Sequence, residues 1–166
     1  MNPQWFGDSY DIVKRFFIEQ LNAAGYQVLV DPMLTGEWNE LKTDFYRFLK
    51  ASPLTEKSTR KSALLLDPDI GIGKKKTKQH ITIGDIADHL LRHEVVFSFD
   101  QSFSRVGNAT EKIQEKLMLL KKTGNYGFYY DSHARFLFAA KSSEILYEVE
   151  QQILSSGLPS KRIVKI

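Results

Sequence analysis

Three short apolar runs, each closed by an aspartate, constrain this chain more than any other feature. Val28-Leu29-Val30 stops at Asp31-Pro32, Ala63-Leu64-Leu65-Leu66 at Asp67-Pro68, and Val95-Val96-Phe97-Ser98-Phe99 at Asp100. Short runs that are apolar without polar alternation read as strands buried on both faces, the condition of strands in a parallel sheet. If the three lie parallel in one sheet, their ends gather three carboxylates at one rim, where open α/β sheets place their ligands.

Between the runs the spacing turns helical. Asp8 caps a helix with apolar positions Ile12, Val13, Phe16, Phe17 and Leu21, ended by Gly25. Trp38, Leu41, Phe45, Phe48 and Leu49 mark one face of a second helix. Thr82 and Asp85 are spaced as a capping box before Ile83, Ile86, Ala87, Leu90 and Leu91. Asn108 and Glu111 open a long helix that buries Ile113, Leu117 and Leu120. The aromatic-rich runs 126–130 and 135–139, separated by Asp131-Ser132-His133, predict an antiparallel hairpin. A last helix carries Ile145, Leu146, Val149 and Ile153 as far as Gly157, and residues 162–166 add an edge strand. This order predicts one α/β domain over residues 1–166, a three-layer Rossmann-like sandwich whose largely parallel sheet ends in an antiparallel C-terminal edge hairpin.

The 166 residues, 42% hydrophobic and 26% charged, suit one well-buried core. With no cysteine, disulfides, thiolate metal sites and a cysteine nucleophile are excluded. The N-terminus lacks the basic-then-apolar order of a signal peptide, and no apolar run approaches the ~20 residues that span a bilayer, so a cytoplasmic protein without membrane contact is expected. The 23 basic and 20 acidic residues nearly balance. Distribution says more: Lys57, Arg60, Lys61, Lys74, Lys75, Lys76 and Lys78 share a stretch with only Asp67 and Asp69, and Lys161, Arg162 and Lys165 cluster near the end. Such patches attract polyanions, although a charge run also serves as a solvated loop.

Carboxylates crowded at a rim without cations either bind a divalent cation through oxygen or raise one another's pKa. Asp67 and Asp69 are therefore candidate ligands for magnesium, with Asp100 assisting, and Lys74, Lys75, Lys76 and Arg105 candidates to meet phosphate. The bland reading is that Asp-Pro forms a turn. Gly71 and Gly73 let a backbone approach an anion, yet neither the Walker nor the dinucleotide template fits, since Pro68, Lys75 and Lys76 stand at defining positions. His80 and His133 are the imidazoles placed for acid–base work, whereas His89 and His93, one helical turn apart, read as a solvent-facing pair. Asp8, Asp11 and Lys14 fall near one helical face, so Asp8 and Lys14 join His80 as substrate-binding candidates; helix capping explains Asp8 and Asp11 equally well. Tyr126, Phe128, Tyr130, Phe136 and Phe138 offer either base stacking or core.

Gly7-Asp8 with Asp11 and Lys14, Met33-Leu34-Thr35, Asp67-Pro68-Asp69-Ile70-Gly71, and Phe99-Asp100 with Arg105 together resemble an uncharacterised bacterial family. Its motifs run Gly-Asp-x-x-Asp-x-x-Lys, Met-Leu-Thr, Asp-Pro-Asp-Asn-Gly and a strand followed by arginine. The resemblance covers the first two thirds of the chain, with Ile70 in place of asparagine. It implies a site at these residues and no particular reaction. A looser similarity, through the Asp-Pro turn, strand and arginine, is to the methyltransferase-like three-Cys-motif partner proteins, and implies a Rossmann-like fold.

The leading expectation is thus a magnesium-dependent phosphoryl-transfer or phosphodiester-cleaving enzyme acting on nucleotides or nucleic acid. The alternatives are a methyltransferase-like domain, active or degenerate, and a non-catalytic module that binds nucleic acid or protein.

Overall fold

The computed structural model describes residues 2–55, 61–103 and 108–166. In chain order it forms α1 (Ser9–Ala23), β1 (Gln27–Asp31), α2 (Leu41–Leu49), β2 (Ser52–Pro53), β3 (Ser62–Leu66), β4 (Gly71–Ile72), β5 (His80–Ile81) and α3 (Ile83–Leu90). There follow β6 (Val95–Phe99), α4 (Ala109–Lys122), β7 (Tyr126–Tyr130), β8 (Phe136–Ala140), α5 (Ser143–Ser155) and β9 (Ile163–Val164).

Seven strands make one sheet in the order β2-β1-β3-β6-β8-β7-β9. The apolar runs β1, β3 and β6 are adjacent and parallel, while β8 and β7 turn antiparallel and β9 closes the edge. β3 and β6 are buried at every position, which is why neither shows polar alternation.

Side chains alternate between two cores. On the first face Val30, Leu65, Phe97 and Phe138 pack against Phe17 and Leu21 of α1, Phe45 of α2 and Val149 of α5. On the second face Leu29, Leu64, Val96, Tyr129 and Leu137 pack against Ile86 of α3 and Ile113 and Leu117 of α4. Helices on both faces give the three layers expected. Phe128, Phe136 and Phe138 are fully buried, so these aromatics build core and stack on no base; Tyr126 alone of the five is exposed. Each buried side chain of this size contributes about 1.5–3 kcal/mol relative to exposure.

Three strands had no sequence signature. β2 and the parallel pair β4–β5 are two residues each, too short for periodicity to register. The β4–β5 pair nonetheless shapes the rim. Gly71 pairs with His80 and Ile72 with Ile81, which folds the glycine–lysine loop back across the strand ends.

Candidate functional site: two pockets divided by the sheet

The parallel strands do end at one rim, but their aspartates do not meet. Asp31 lies level with Leu66, and Leu66 level with Ser98, so all three address the second face. Asp67 is one residue further and turns to the first face; Asp100 comes one level later still and turns to the second. The two-residue alternation of a strand thus separates Asp67 from Asp31 and Asp100.

On the first face Asp67 meets the N-terminal motif. Asp8 caps α1 by accepting from the Tyr10 and Asp11 backbone N–H groups at 2.9 and 3.0 Å. The Asp11 carboxylate reaches back to the Gly7 N–H at 2.9 Å, and Gly7 holds the φ of +83° that places it there. Lys14, one turn on, lies between Asp11 Oδ1 at 2.9 Å and Asp67 Oδ2 at 2.8 Å, its Nζ 5.4 Å from the Phe99 ring centroid. All three side chains are buried, at 0% exposure for Asp11, 5% for Lys14 and 2% for Asp67. Burial opposes the Lys14 ammonium, but Asp67 and Asp11 outweigh it and hold its pKa above the ordinary lysine range. Burial raises the Asp67 carboxyl more than Lys14 lowers it. Asp69 accepts from the Thr35 hydroxyl at 3.0 Å, which ties the Met-Leu-Thr segment to the same place. A pocket of about 150 Å³ opens here, lined by Asp8, Asp11, Lys14, Asp67, Asp69 and Gln101 among others.

This pocket gives the magnesium expectation no geometric support. Lys14 takes one Asp67 oxygen and Thr35 one Asp69 oxygen. Among the described residues no group of three or more histidine or acidic side chains is placed to hold a metal ion.

On the second face Asp100 is fully buried. Its Oδ1 accepts from the Ile72 and Ser102 N–H groups at 3.0 and 3.1 Å, and its Oδ2 from Tyr129 Oη at 2.8 Å and Lys116 Nζ at 2.6 Å. It is a positioning residue that fastens the glycine loop, the segment after β6, β7 and α4 together. Gly71 is required for this. Its φ is +131°, and a Cβ there would collide with the Asp100 carboxylate.

Beside the glycine loop lies the larger cleft, about 760 Å³, between the start of α3 and the face of α4 that carries Lys112, Lys116 and Leu119. Lys74, Lys112, Lys116 and His80 line it against one carboxylate, Glu115, and Ser102 and Thr82 add hydroxyls. Thr82 and Asp85 form the expected capping box, and the first residues of α3, whose backbone amides have no acceptor within the helix, also border the cleft. His80 Nδ1 lies 3.0 Å from Thr77 Oγ1, and Gly73 passes so near the imidazole that a Cβ would sit 3.1 Å from His80 Cδ2. Burial lowers the Lys116 pKa, outweighing the pull of Asp100.

The expected site residues thus divide. Asp8, Lys14, Asp67 and Asp69 border the acidic pocket, and Lys74 and His80 the basic cleft. Lys75 is exposed outside both, and Lys76 pairs with Asp85 at 2.5 Å. Arg105, and Lys57 and Arg60 of the basic run, lie outside the described residues. His93 is no solvent-facing partner of His89: it is buried with Nδ1 2.9 Å from Ser62 Oγ. Sequence reasoning missed Lys112, Lys116 and Tyr129. The available signal was the i, i+4 spacing of Lys112 and Lys116 beside the apolar stripe of α4. Comparison with protein-family models, curated proteins and solved structures returned no match for this chain.

Proposed function

We propose that the protein binds a phosphate-bearing ligand, a nucleotide or a nucleic-acid strand, in the basic cleft and acts on it by phosphoryl transfer or phosphodiester cleavage. One observation carries the reading: a cleft of about 760 Å³ collects Lys74, Lys112, Lys116 and His80 beside the N-terminus of α3. Lysines and free helix-start amides attract phosphate, and a cleft of this size suits a nucleotide-scale ligand. The acidic pocket on the other face has the wrong sign for an anion.

The test is fluorescence anisotropy of a labelled single-stranded oligonucleotide, with mononucleotides as competitors. The parent should bind at low salt, and Lys74→Gln with Lys112→Gln should weaken binding and flatten the salt dependence by about one unit of slope per lysine. Binding that ignores both substitutions would overturn the reading. S-adenosylmethionine raising Tm while oligonucleotides do not bind would move it to the methyltransferase-like alternative.

A further inference from the structure

We propose that Ser102 is a nucleophile activated by Lys116, and that its target is the phosphorus of a phosphodiester held in the basic cleft. The inference rests on the cleft being a phosphate site, and adds to it the atom that forms the bond.

Ser102 and Lys116 both border the cleft, and Lys116 Nζ lies 2.7 Å from Ser102 Oγ. Nucleophile and base within hydrogen-bond reach, with a third group orienting the base, is the arrangement that activates a serine. Asp100 is the orienting group, 2.6 Å from Lys116 Nζ, and it also anchors the Ser102 backbone through the N–H at 3.1 Å. Asp100 has hydrogen-bond donors besides Lys116. The Ile72 and Ser102 N–H groups and the Tyr129 hydroxyl already supply three neutral hydrogen bonds to its two oxygens. Lys116 can therefore lose its proton without stripping the buried carboxylate of donors. Its surroundings favour that loss. The ammonium is nearly enclosed, and burial lowers its pKa against the opposing pull of Asp100 and of the Phe103 ring, whose centroid lies 4.1 Å from Nζ. A base must be partly neutral near the working pH, and a lysine reaches that condition by desolvation.

In the neutral form the hydrogen bond reverses, with Ser102 Oγ–H donating to Lys116 Nζ. As Oγ bonds to phosphorus, its proton passes to Lys116. The P–O bond to the leaving alcohol breaks, the electron pair goes to the leaving oxygen, and that oxygen takes the proton from the Lys116 ammonium. Water then attacks the phosphoserine diester, gives a proton to Lys116, and the P–Oγ bond breaks as Ser102 recovers its proton. The sum is hydrolysis of one phosphodiester by one water.

A fluorophosphonate probe tests the pair directly, because serine attack on its phosphorus expels fluoride and leaves a stable adduct visible by intact mass and peptide mapping. The parent should be labelled at Ser102. Ser102→Ala should abolish the adduct. Lys116→Arg keeps the cation beside Asp100 but cannot act as base, so it should fold and label about 100-fold more slowly or less. The labelling rate should rise with pH and level off below the ordinary lysine pKa. Labelling at another residue, an unchanged rate in Lys116→Arg, or a rate still climbing past the ordinary lysine range would overturn the proposal. The probe needs no phosphate-bearing ligand, so the outcomes separate. Oligonucleotide binding without labelling refutes the nucleophile and leaves the cleft reading intact; labelling without binding does the reverse.

Discussion

Replacing Lys14 by Met should destabilise the protein strongly. The side chain is apolar, unbranched and of similar length, so packing is largely kept while the cation between Asp11 and Asp67 disappears. Both carboxylates are then left buried, at 0% and 2% exposure, where water cannot solvate them. Removing one partner of a buried ion pair costs about 3–5 kcal/mol. For a chain of this size each kcal/mol moves Tm by about 2–4 °C, so Tm should fall by roughly 6–20 °C. The effect should depend on pH with a defined sign. The Asp67 carboxyl is already raised above its unfolded value of 3.8 by burial, and without Lys14 it rises further. Its penalty develops as pH climbs from 3.8 through the folded pKa, so acidification should narrow the gap between variant and parent. Asp67→Asn in the Lys14→Met background removes one stranded charge and should restore part of the loss. Urea unfolding of the three proteins at neutral and mildly acidic pH measures all of this. A Lys14→Met variant within about 1 kcal/mol of the parent, or a double variant weaker than the single, would refute the reasoning.

Two further outcomes are expected. Gly71→Ala places a Cβ against the Asp100 carboxylate at a φ of +131° and should lower Tm and weaken oligonucleotide binding together, as calorimetry and anisotropy would show; an unchanged Tm would contradict the fastening role of Asp100. Burial holds His93 and His89 below the ordinary imidazole value of 6.5, so the unfolded chain takes up protons that the folded chain refuses, and stability should decline as pH drops through 6.5. Urea midpoints in His93→Gln should show a shallower decline than the parent.

The sheet was legible because β1, β3 and β6 carry apolar runs broken only by Ser98, and burial on both faces leaves that trace in sequence. The helices were legible from their caps, Asp8, Thr82 and Asn108 each accepting a backbone N–H as expected. The partition of the site was not. Which face Asp67 or Asp100 addresses depends on how far each strand runs past its neighbour, and that register is fixed between strands rather than within one. Lys116 was hidden for a similar reason: it meets Asp100 across 16 positions, from a helix whose own pattern describes only its apolar side. Lys14 and Asp67 are 53 positions apart, and before folding only their presence in two separate motifs links them.

The place of β8 has a consequence for synthesis on the ribosome. β6 is finished at Phe99, yet its second edge is covered only when β8 arrives, with Phe97 opposite Phe138. Until then the nascent chain carries a strand apolar but for Ser98, with one row of amides and carbonyls unpaired, the configuration that recruits foreign strands. A chain halted before Phe136 is therefore a client for chaperones, and its fate is set by how quickly the hairpin emerges.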